Sequence, residues 1–275
     1  MAAAAPLAVA ALQVVIMLIY TFDRTMDGLL SAVFDAYALH QHPDELVGEG
    51  GVLPLFCDEV HAVATADDKA CRVWAGLEKR LKREAVRLIS ISWLSESSEL
   101  YTPLFHYIYK VFSSNSGVGG GLNFADPDVL YVTNTARRVM HEQLRMKQFM
   151  RFQKAKDGTY LGVVSPDNDV LPLIVDHFQD RFQDQPWLIY DARRRYGYNY
   201  DGKTVIRITF EDETTLPFSL DDGRLSDDVL SDDDKTFQEL WRTYFKAICI
   251  RERLNKKKQQ SDMPRRYWKY MTEKQ

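Results

Sequence analysis

Carboxylates and one histidine are clustered in the middle of the sequence. Asp167, Asn168 and Asp169 lie in one short segment, and Asp176 and His177 follow soon after. Carboxylate and imidazole groups are the types that general acid–base catalysis or a Mg²⁺ site requires. Loop acids and a helix-capping aspartate explain the same residues more simply, and both interpretations stay open. On this basis Asp167, Asp176 and His177 are catalytic candidates.

A second candidate site follows a predicted buried strand over residues 187–191. The strand ends in Asp191, and Arg193, Arg194 and Arg195 come directly after it. An aspartate in this position can anchor arginines for phosphate binding. A plain structural ion pair fits the same pattern. Asp191 is therefore a further catalytic candidate, and Arg194 is a candidate for nucleic-acid binding.

The next stretch has the pattern of a β-hairpin. Asp201-Gly202 separates two alternating runs, which is the strongest short-range hairpin signal. A type I′ turn at these two residues fixes the register, and the predicted pairs are Tyr200 with Lys203, Tyr198 with Val205, and Tyr196 with Arg207. The tyrosines then face solvent or a ligand, and the core face carries Ile206, Ile208 and Phe210. The same tyrosines could instead form a cross-strand ladder that only stabilises the sheet.

Charge is strongly segregated along the chain, although the net charge is only -4. Residues 137–156 contain seven basic residues and one acid, and residues 251–275 contain nine basic residues and three acids. Residues 211–234 contain ten acids and one arginine, and we expect them to form a surface loop. Such asymmetry can mark a polyanion-binding face, although charge runs are more often solvated surfaces.

The second basic segment combines arginines with aromatic residues, the mixture that single-stranded nucleic acid uses. Arg265 and Arg266 stand beside Tyr267 and Trp268. The complete set of nucleic-acid-binding candidates is Arg151, Arg194, Tyr196, Tyr198, Tyr200, Lys203, Arg207, Arg265, Arg266 and Trp268.

Cysteine usage argues against a metal or disulfide framework. Cys57, Cys71 and Cys249 are far apart and form no Cys-x-x-Cys pair, so no disulfide, zinc or iron–sulfur site is suggested. We expect no cofactor and no metal, and a reducing cytoplasm as the compartment.

The first residues are uncharged but lack the features of a signal peptide. There is no basic n-region, and the small alanines precede the more hydrophobic part. We predict no membrane association. Met17 is a plausible natural start, which makes residues 1–16 a non-native or disordered extension.

The hydrophobic periodicity of the sequence, together with the residues that begin and end helices and turns, predicts an α+β protein. Residues 17–148 should form a strand plus a mainly helical part, with amphipathic helices over residues 27–39 and 126–147. Residues 149–275 should form an antiparallel sheet with a basic tail, beginning with a hairpin over residues 149–165. A C-terminal amphipathic helix is predicted over residues 234–255, with an apolar face turned inward that contains Phe237, Leu240, Trp241, Tyr244, Phe245, Ile248 and Leu254. The two parts could also be one continuous domain.

Several segments together resemble a bacterial family of DNA metabolism or DNA repair proteins built on a domain of unknown function. The matching segments are Thr-Met-Asp-Gly-Leu-Leu-Ser-Ala-Val-Phe-Asp-Ala-Tyr from residue 25, Met-Lys-Gln-Phe-Met-Arg-Phe from 146, Ser-Pro-Asp-Asn-Asp-Val-Leu-Pro-Leu-Ile from 165, Pro-Trp-Leu-Ile-Tyr-Asp-Ala-Arg-Arg from 186, Tyr-Asp-Gly from 200, and Met-Pro-Arg-Arg-Tyr-Trp-Lys-Tyr from 263. They run from about residue 18 to residue 273, nearly the whole chain, and their order is specific.

The resemblance implies a partner for the chemistry. Members of this family are encoded beside a radical-SAM protein thought to modify or repair DNA, and some carry a fused uracil-DNA-glycosylase-like domain. The present sequence has no room for that domain, and it lacks the cysteine cluster of a radical-SAM enzyme. We therefore expect a nucleic-acid-binding component that acts on single-stranded or damaged DNA beside the radical-SAM protein, and also beside a glycosylase-like protein.

Two other classes of function remain open. The chain could be an enzyme in its own right, a metal-assisted nuclease or base-processing hydrolase that uses the acids between residues 167 and 177. It could also be a protein-only adaptor without affinity for DNA.

Overall fold

The computed structural model describes residues 17–113, 123–212, 216–247 and 255–274. These residues divide into two units, which are described separately. The first unit contains residues up to 93 and residues 97–134, and the second contains residues 94–96 and residues from 135 onward. The predicted extension over residues 1–16 lies outside the described residues.

The first unit is built on a three-stranded parallel sheet. Its strands are β1 (Leu18–Phe22), β2 (Glu45–Gly48) and β3 (Glu59–Ala62), in the order β2-β1-β3. The central strand β1 is almost entirely buried, as its dense β-branched and bulky residues require. Both neighbours run parallel to β1.

Helices surround this sheet and supply most of the core of the first unit. They are α1 (Met26–Ala38), α2 (Asp67–Arg80), α3 (Arg83–Trp93) and α4 (Tyr101–Ser113). The predicted helix over residues 27–39 is confirmed as α1. The Thr25 side chain caps it by accepting a hydrogen bond from the Gly28 N–H at 2.9 Å, and Leu29 and Val33 are fully buried on its inner face.

The long helix α5 (Pro127–Phe149) confirms the helix predicted over residues 126–147. Asp126 precedes it and accepts a hydrogen bond from the Asp128 N–H at 2.9 Å, as expected of a capping aspartate. The helix contributes residues to both units, because the division falls between Asn134 and Thr135.

The second unit contains a five-stranded mixed sheet in the order β4-β5-β6-β7-β8. The strands are β4 (Gln153–Lys154), β5 (Tyr160–Val164), β6 (Trp187–Asp191), β7 (Tyr196–Tyr200) and β8 (Val205–Ile208), and α6 (Leu171–Arg181) connects β5 to β6. The pair β5–β6 is parallel and the other pairs are antiparallel. The predicted hairpin over residues 149–165 is confirmed as β4–β5, with a first strand shortened by α5.

The predicted register of the β7–β8 hairpin is wrong. Tyr200 pairs with Val205 and Tyr198 with Arg207, because the connection contains four residues, 201–204, and not two. A type I′ turn needs positive φ at both central residues, and here only Gly202, at +93°, has it. The Asp201 carboxylate instead closes the longer turn by accepting hydrogen bonds from the N–H groups of Lys203 and Thr204, both at 2.8 Å.

Both faces of the second sheet are covered. On one face Trp187 and Ile189 are buried, and on the other Leu188 and Tyr190 belong to a core cluster. The residues that complete this second cluster include Phe218, Leu225 and Leu230. The prediction that residues 211–234 are only a surface loop is therefore wrong for this apolar subset, which alternates with the acids.

The predicted inward face of the C-terminal helix is also wrong. In the described part of this helix, α7 (Asp232–Ala247), the side chains of Phe237, Leu240, Trp241 and Tyr244 are 71%, 62%, 38% and 54% exposed. The sheet offers this helix no open apolar face, because α6 and residues 216–230 already lie against it. Ile248 and Leu254 of the predicted face lie outside the described residues.

The last described elements are α8 (Lys256–Asp262) and a 3₁₀ segment (Arg265–Tyr270). Tyr267, Tyr270 and Met271 are buried, so this basic stretch packs into the unit. The predicted α+β class is confirmed. Among the described residues, no helix is both long and apolar enough to cross a membrane.

Two glycines of the hairpin test this fold in different ways. A Cβ on Gly197 would lie 2.4 Å from the backbone oxygen of Ile189, whereas a Cβ on Gly202 would meet no atom within 4 Å. Gly202→Ala should cost about 1–2 kcal/mol, the price of a left-handed alanine. Gly197→Ala should cost more than about 3 kcal/mol, above ordinary overpacking, because backbone atoms cannot rotate away. Denaturant unfolding of both variants measures the difference, and equal losses would contradict the close approach of β6 and β7.

Candidate functional site

Two loops of the second unit meet at the carboxyl edge of the parallel pair β5–β6. Residues 165–170 follow β5 and residues 192–195 follow β6, and the Ala192 N–H donates to the Val164 carbonyl at 2.8 Å. In open sheets with parallel strands, ligands bind in the crevice outside the carboxyl ends of the strands. This edge contains several of the residues singled out from the sequence, namely Asp167, Asp191, Arg194, Tyr196, Arg207 and Arg266.

Asp191 is completely buried and organises the turn after β6. Its Oδ1 accepts hydrogen bonds from the N–H groups of Arg193 and Arg194 at 2.8 and 3.2 Å, and its Oδ2 accepts one from Arg194 Nη1 at 2.8 Å. Burial raises the pKa of Asp191, and the hydrogen bonds and charge of Arg194 act in the opposite direction. The turn also holds Arg195 at a φ of +58°, a left-handed conformation that non-glycine residues rarely adopt.

Arg194 fastens three segments together. Besides Asp191, it bonds Glu96 Oε2 through Nη2 and Nε at 2.7 and 2.9 Å, and it donates to the carbonyls of Pro166 and Asp167 at 3.1 and 2.9 Å. Its side chain is only 9% exposed. The guanidinium is therefore committed to holding the edge and is poorly placed to contact a ligand.

Glu142 of α5 is only 2% exposed, and its carboxylate accepts hydrogen bonds from the loop after β5 and from the 3₁₀ segment. We call this residue the hub. Its Oε1 accepts hydrogen bonds from the Asp167 N–H at 3.0 Å, the Tyr267 hydroxyl at 2.7 Å and Arg266 Nη2 at 3.1 Å. Its Oε2 accepts two from Asn168, and the one from the backbone N–H measures 2.8 Å. Helix, loop and 3₁₀ segment thus meet at one carboxylate.

The pKa values of this hub follow from burial and hydrogen bonding. Burial alone raises the pKa of Glu142, but hydrogen bonds from Tyr267, Asp167 and Asn168 outweigh it and lower the pKa below its usual value. The pKa of Tyr267 is raised by burial and by its hydrogen bond to Glu142. The glutamate is therefore held ionised and the tyrosine protonated.

Tyr196 forms a second buried link between loop and sheet. Its hydroxyl donates a short hydrogen bond to Asp169, and burial together with this carboxylate raises its pKa. The guanidinium carbon of Arg207 lies 4.2 Å from the centre of the Tyr196 ring, within cation–π range. The buried tyrosine thus orients an exposed arginine of β8.

Three exposed guanidinium groups are anchored at this edge, and we call Arg193, Arg207 and Arg266 the arginine edge. Arg193 donates to the Asp167 carbonyl at 3.0 Å, and Arg266 Nη1 lies 2.8 Å from Asp167 Oδ2. The side chains of Arg193 and Arg266 are 55% and 43% exposed. Pre-oriented guanidinium groups match the geometry of phosphate and carboxylate ligands.

Several predicted binding residues have structural partners. Arg151 Nη2 pairs with Glu273 Oε1 at 2.6 Å, and that glutamate side chain is 1% exposed. Tyr196 and Tyr200 are 3% and 4% exposed, and the Tyr200 hydroxyl donates to the Gln183 carbonyl at 3.1 Å. The expectation that these two tyrosines face solvent is wrong, because α6 covers their side of the sheet.

Other predicted binding residues remain at the surface. Lys203 in the hairpin turn and Arg265 in the 3₁₀ segment are exposed, and Tyr198 is half-buried beside the Tyr196 ring. Trp268 is also half-buried, and its indole N–H donates to the Met263 carbonyl at 3.0 Å. The Arg265 guanidinium lies 5.8 Å from the Trp268 ring centre.

The catalytic candidates are divided between the edge and α6. Asp167 and Asp191 belong to the arginine-bonded network, whereas Asp176 is exposed on α6. Burial, followed by the charges of Lys147 and Arg181, lowers the pKa of His177 on the same helix. Within the described ranges, no group of three or more His, Cys, Asp or Glu residues is placed to hold a metal ion.

The sequence patterns did not identify Glu142 as a site residue. Glu142 is the single acid in a basic stretch of helix, and this isolation was the only available signal. Its principal partner Tyr267 is 125 residues away, a separation that no local pattern reveals.

The family comparison covers this edge except for Glu96. The model of a family described as a domain of unknown function, DUF4130, matches residues 98–273. That span is more than half of the 275-residue chain. The chain belongs to the DUF4130 family. The DUF4130 match includes the whole five-stranded sheet, Glu142 and the arginine edge, and excludes the three parallel strands of the first unit. No curated protein and no solved structure matches the chain.

Replacing the hub tests its contribution to stability. Glu142→Gln removes the charge but keeps the size, and it leaves buried donors poorly matched, so it should lower the free energy of unfolding by about 1–3 kcal/mol at neutral pH. Because the folded pKa of Glu142 lies below the unfolded one, its stabilisation is complete above the unfolded pKa and is lost as pH falls through the folded pKa. The difference between wild type and variant should therefore shrink in acid.

Denaturant unfolding at several pH values measures this difference. The control is Glu239→Gln on the exposed surface of α7, which should change stability little at any pH. A Glu142→Gln loss that stayed constant from neutral to acidic pH would contradict the assigned role of the carboxylate charge.

Proposed function

We propose that the chain is a nucleic-acid-binding component of DNA repair or DNA metabolism that binds single-stranded or damaged DNA. The observation that carries this proposal is the arginine edge. Its guanidinium groups are exposed, but each is held by a defined contact. Arg193 donates to the Asp167 carbonyl, Arg207 stacks on the buried Tyr196 ring, and Arg266 pairs with the buried Glu142. Groups that are already ordered lose less conformational entropy when a phosphate binds.

The sequence resemblance supports the part of the proposal that concerns DNA repair or DNA metabolism. The segments beginning at residues 165, 186 and 263 supply Asp167, Arg193 and Arg266, so the resemblance includes two of the three edge arginines. As part of the same proposal, a radical-SAM enzyme supplies the chemistry and a uracil-DNA-glycosylase-like protein is a further partner. The cytoplasm is the proposed compartment.

The charge pattern of the edge favours phosphate over a purely protein partner. Arg193 and Arg266 converge on the same carboxylate, Asp167, whose side chain is 54% exposed. A phosphate can take the place of this carboxylate against either guanidinium, because both ligands accept paired hydrogen bonds. A protein-only adaptor requires no such exchange.

Arg193 can be tested for DNA binding with Arg224 as the matched control residue. Both side chains are 55% exposed and both pair with one aspartate, Arg193 with Asp167 and Arg224 with Asp222. Arg193→Gln should weaken single-stranded DNA binding and flatten the slope of log affinity against log salt by about 0.7, the change expected for one phosphate contact. Arg224→Gln should leave the slope unchanged. Fluorescence anisotropy at several salt concentrations measures both, and equal changes would mean that only net charge matters.

Tyr198 and Arg207 are paired across the hairpin, and their substitutions should change DNA affinity and its salt dependence in different ways. Stacking on tyrosine contributes roughly 1–3 kcal/mol per base and depends little on salt. Tyr198→Ala should therefore weaken binding at every salt concentration, whereas Arg207→Ala should mainly flatten the salt slope. Melting temperatures must be compared, because a tyrosine that only packs on the sheet would lower stability and leave affinity unchanged.

Two further assays distinguish the other two classes of function. Metal-dependent turnover of DNA, lost in Asp167→Ala or Asp176→Ala, would identify an enzyme. Binding of the radical-SAM partner without any affinity for DNA would identify an adaptor.

A further inference from the structure

An aromatic pocket lies in the first unit, between α1, α2 and α3. Its volume is about 460 Å³, and pockets that bind small molecules usually measure roughly 300–1,000 Å³. Its described lining residues lie between Met26 and Trp93, so all of them belong to the first unit. None of them belongs to the arginine edge. The pocket is therefore a candidate site that is distinct from the one described above.

Helical spacing brings apolar side chains to the pocket. Met26 and Leu30 lie one turn apart on α1, and Ala70 and Trp74 lie one turn apart on α2. Leu30 and Ala70 are both buried and form the floor of the pocket. Met26, Trp74 and Trp93 are only partly buried and form its sides. The pocket thus combines two indole rings, the aromatic groups that attract cations most strongly, with a polarisable thioether.

Both indole rings are held in place by neighbouring side chains. Trp74 Nε1 donates a hydrogen bond to Glu78 Oε1 at 3.0 Å, one turn further along α2. This bond keeps the Glu78 carboxylate beside the ring, where its charge favours a cation. The Trp93 ring packs against Tyr101, and the ring centres are 5.8 Å apart. Rings that are ordered in advance lose less conformational entropy when a ligand binds.

Asp27 is the single charged residue among the described residues that line the pocket. It is exposed, and its carboxylate forms no ion pair or hydrogen bond within the part of the chain that the structure describes. The basic residues that flank the lining segment of α2 have other partners. Lys69 Nζ lies 2.8 Å from Asp35 Oδ1, and the Arg72 guanidinium carbon lies 5.0 Å from the centre of the Phe34 ring. The negative charge at the pocket is therefore not neutralised.

Partial charges at two helix ends do not reverse this sign. The amino end of α1, at Met26, carries about half a positive elementary charge, and the carboxyl end of α3, at Trp93, carries about half a negative one. The last turn of α3 contains no basic residue. Arg87, three residues before Ser90 on α3, is exposed and does not line the pocket. Because the two partial charges roughly cancel, the full charge of Asp27 decides the sign.

We propose that this pocket binds a small organic cation, a molecule with an alkylated ammonium group. The indole faces of Trp74 and Trp93 attract the positive charge, the floor contacts the alkyl groups, and Asp27 faces the ammonium from the rim. A metal ion is a poor alternative, because Mg²⁺ and Ca²⁺ need several oxygen ligands and the pocket offers a single carboxylate. An anion would be repelled by Asp27. This inference goes beyond the proposed function and does not depend on it.

A matched pair of probes isolates the contribution of charge. Choline carries a trimethylammonium group, and 3,3-dimethylbutan-1-ol carries a neutral tert-butyl group of the same shape in its place. Both are titrated into the full chain, and binding is followed by the indole N–H signals in ¹H–¹⁵N NMR spectra. Choline should bind about five- to fiftyfold more tightly than the alcohol, through the combined effect of the indole rings and Asp27. Equal affinities, or no binding of choline, would overturn the proposal.

The five tryptophans of the chain also report where choline binds. The signals of Trp74 and Trp93 should move during the titration, and those of Trp187, Trp241 and Trp268 should stay in place. Replacing each tryptophan in turn by phenylalanine assigns the signals. Shifts confined to the last three tryptophans would place choline elsewhere and would overturn the assigned pocket.

Two aspartates give a matched comparison. Asp27 and Asp68 are both exposed, and each is the second residue of its helix, but only Asp27 lines the pocket. Asp27→Asn should weaken choline binding about two- to fivefold and leave binding of the alcohol unchanged, whereas Asp68→Asn should change neither. Because both variants lose the same charge, an equal effect on choline would mean that only net charge matters, and the site would be overturned.

Trp74→Leu tests the aromatic side of the pocket. Leucine keeps an apolar side chain without a π face, so choline affinity should fall about three- to thirtyfold and the affinity for the alcohol should fall less. The signals of the other indoles show whether this variant is folded. An equal fall for both probes would show that the ring supplies only apolar contact, and it would remove the case for a cation.

Discussion

A carboxylate that leaves water without partners is among the most costly groups in a protein interior, and Glu142 escapes this cost by accepting hydrogen bonds from several donors. Those donors come from the loop after β5 and from the 3₁₀ segment. The carboxylate therefore dictates where both segments lie against α5. Asp167 and Arg266 take their positions from it, and Arg193 follows through Asp167. The positions of two residues of the arginine edge, Arg193 and Arg266, are therefore a consequence of satisfying one buried charge, whereas Arg207 is oriented by Tyr196.

The side chains of the arginine edge are held in place, but a nearby carboxylate partly neutralises their charge. Asp167 pairs with Arg266 at 2.8 Å and lies 3.9 Å from Arg193, so part of the positive charge is already neutralised. Under the proposed function, an incoming phosphate would have to compete with this exposed carboxylate, which would lower its affinity. Partial neutralisation also suppresses weak attraction to unrelated polyanions. If the proposed function holds, this arrangement would favour selective, moderate binding over tight binding by bulk charge.

Local patterns predicted the elements well, and distant contacts decided the rest. The strand at residues 187–191, the capped helix α1 and the long helix α5 follow from short-range periodicity and capping residues. The hairpin was predicted but its register was not, because the Asp201 side chain closes a longer turn than Asp-Gly usually does. Burial of Tyr196 and Tyr200 depended on which face α6 covers, and a parallel β5–β6 pair was needed to know that. Glu142 could not be recognised from its neighbours in the sequence, since its partners lie far along the chain.

The separation of 125 residues between Glu142 and Tyr267 also means that the two residues are synthesised at different times. Translation proceeds at roughly 5–20 residues per second, so the carboxylate is synthesised about 6 to 25 s before its tyrosine partner. During this interval the sheet and α6 can already pair, whereas the junction of helix, loop and 3₁₀ segment cannot close. The sheet of the nascent protein can thus form early, whereas the arrangement of Asp167 and Arg266 around Glu142 is completed only after the 3₁₀ segment has left the ribosome.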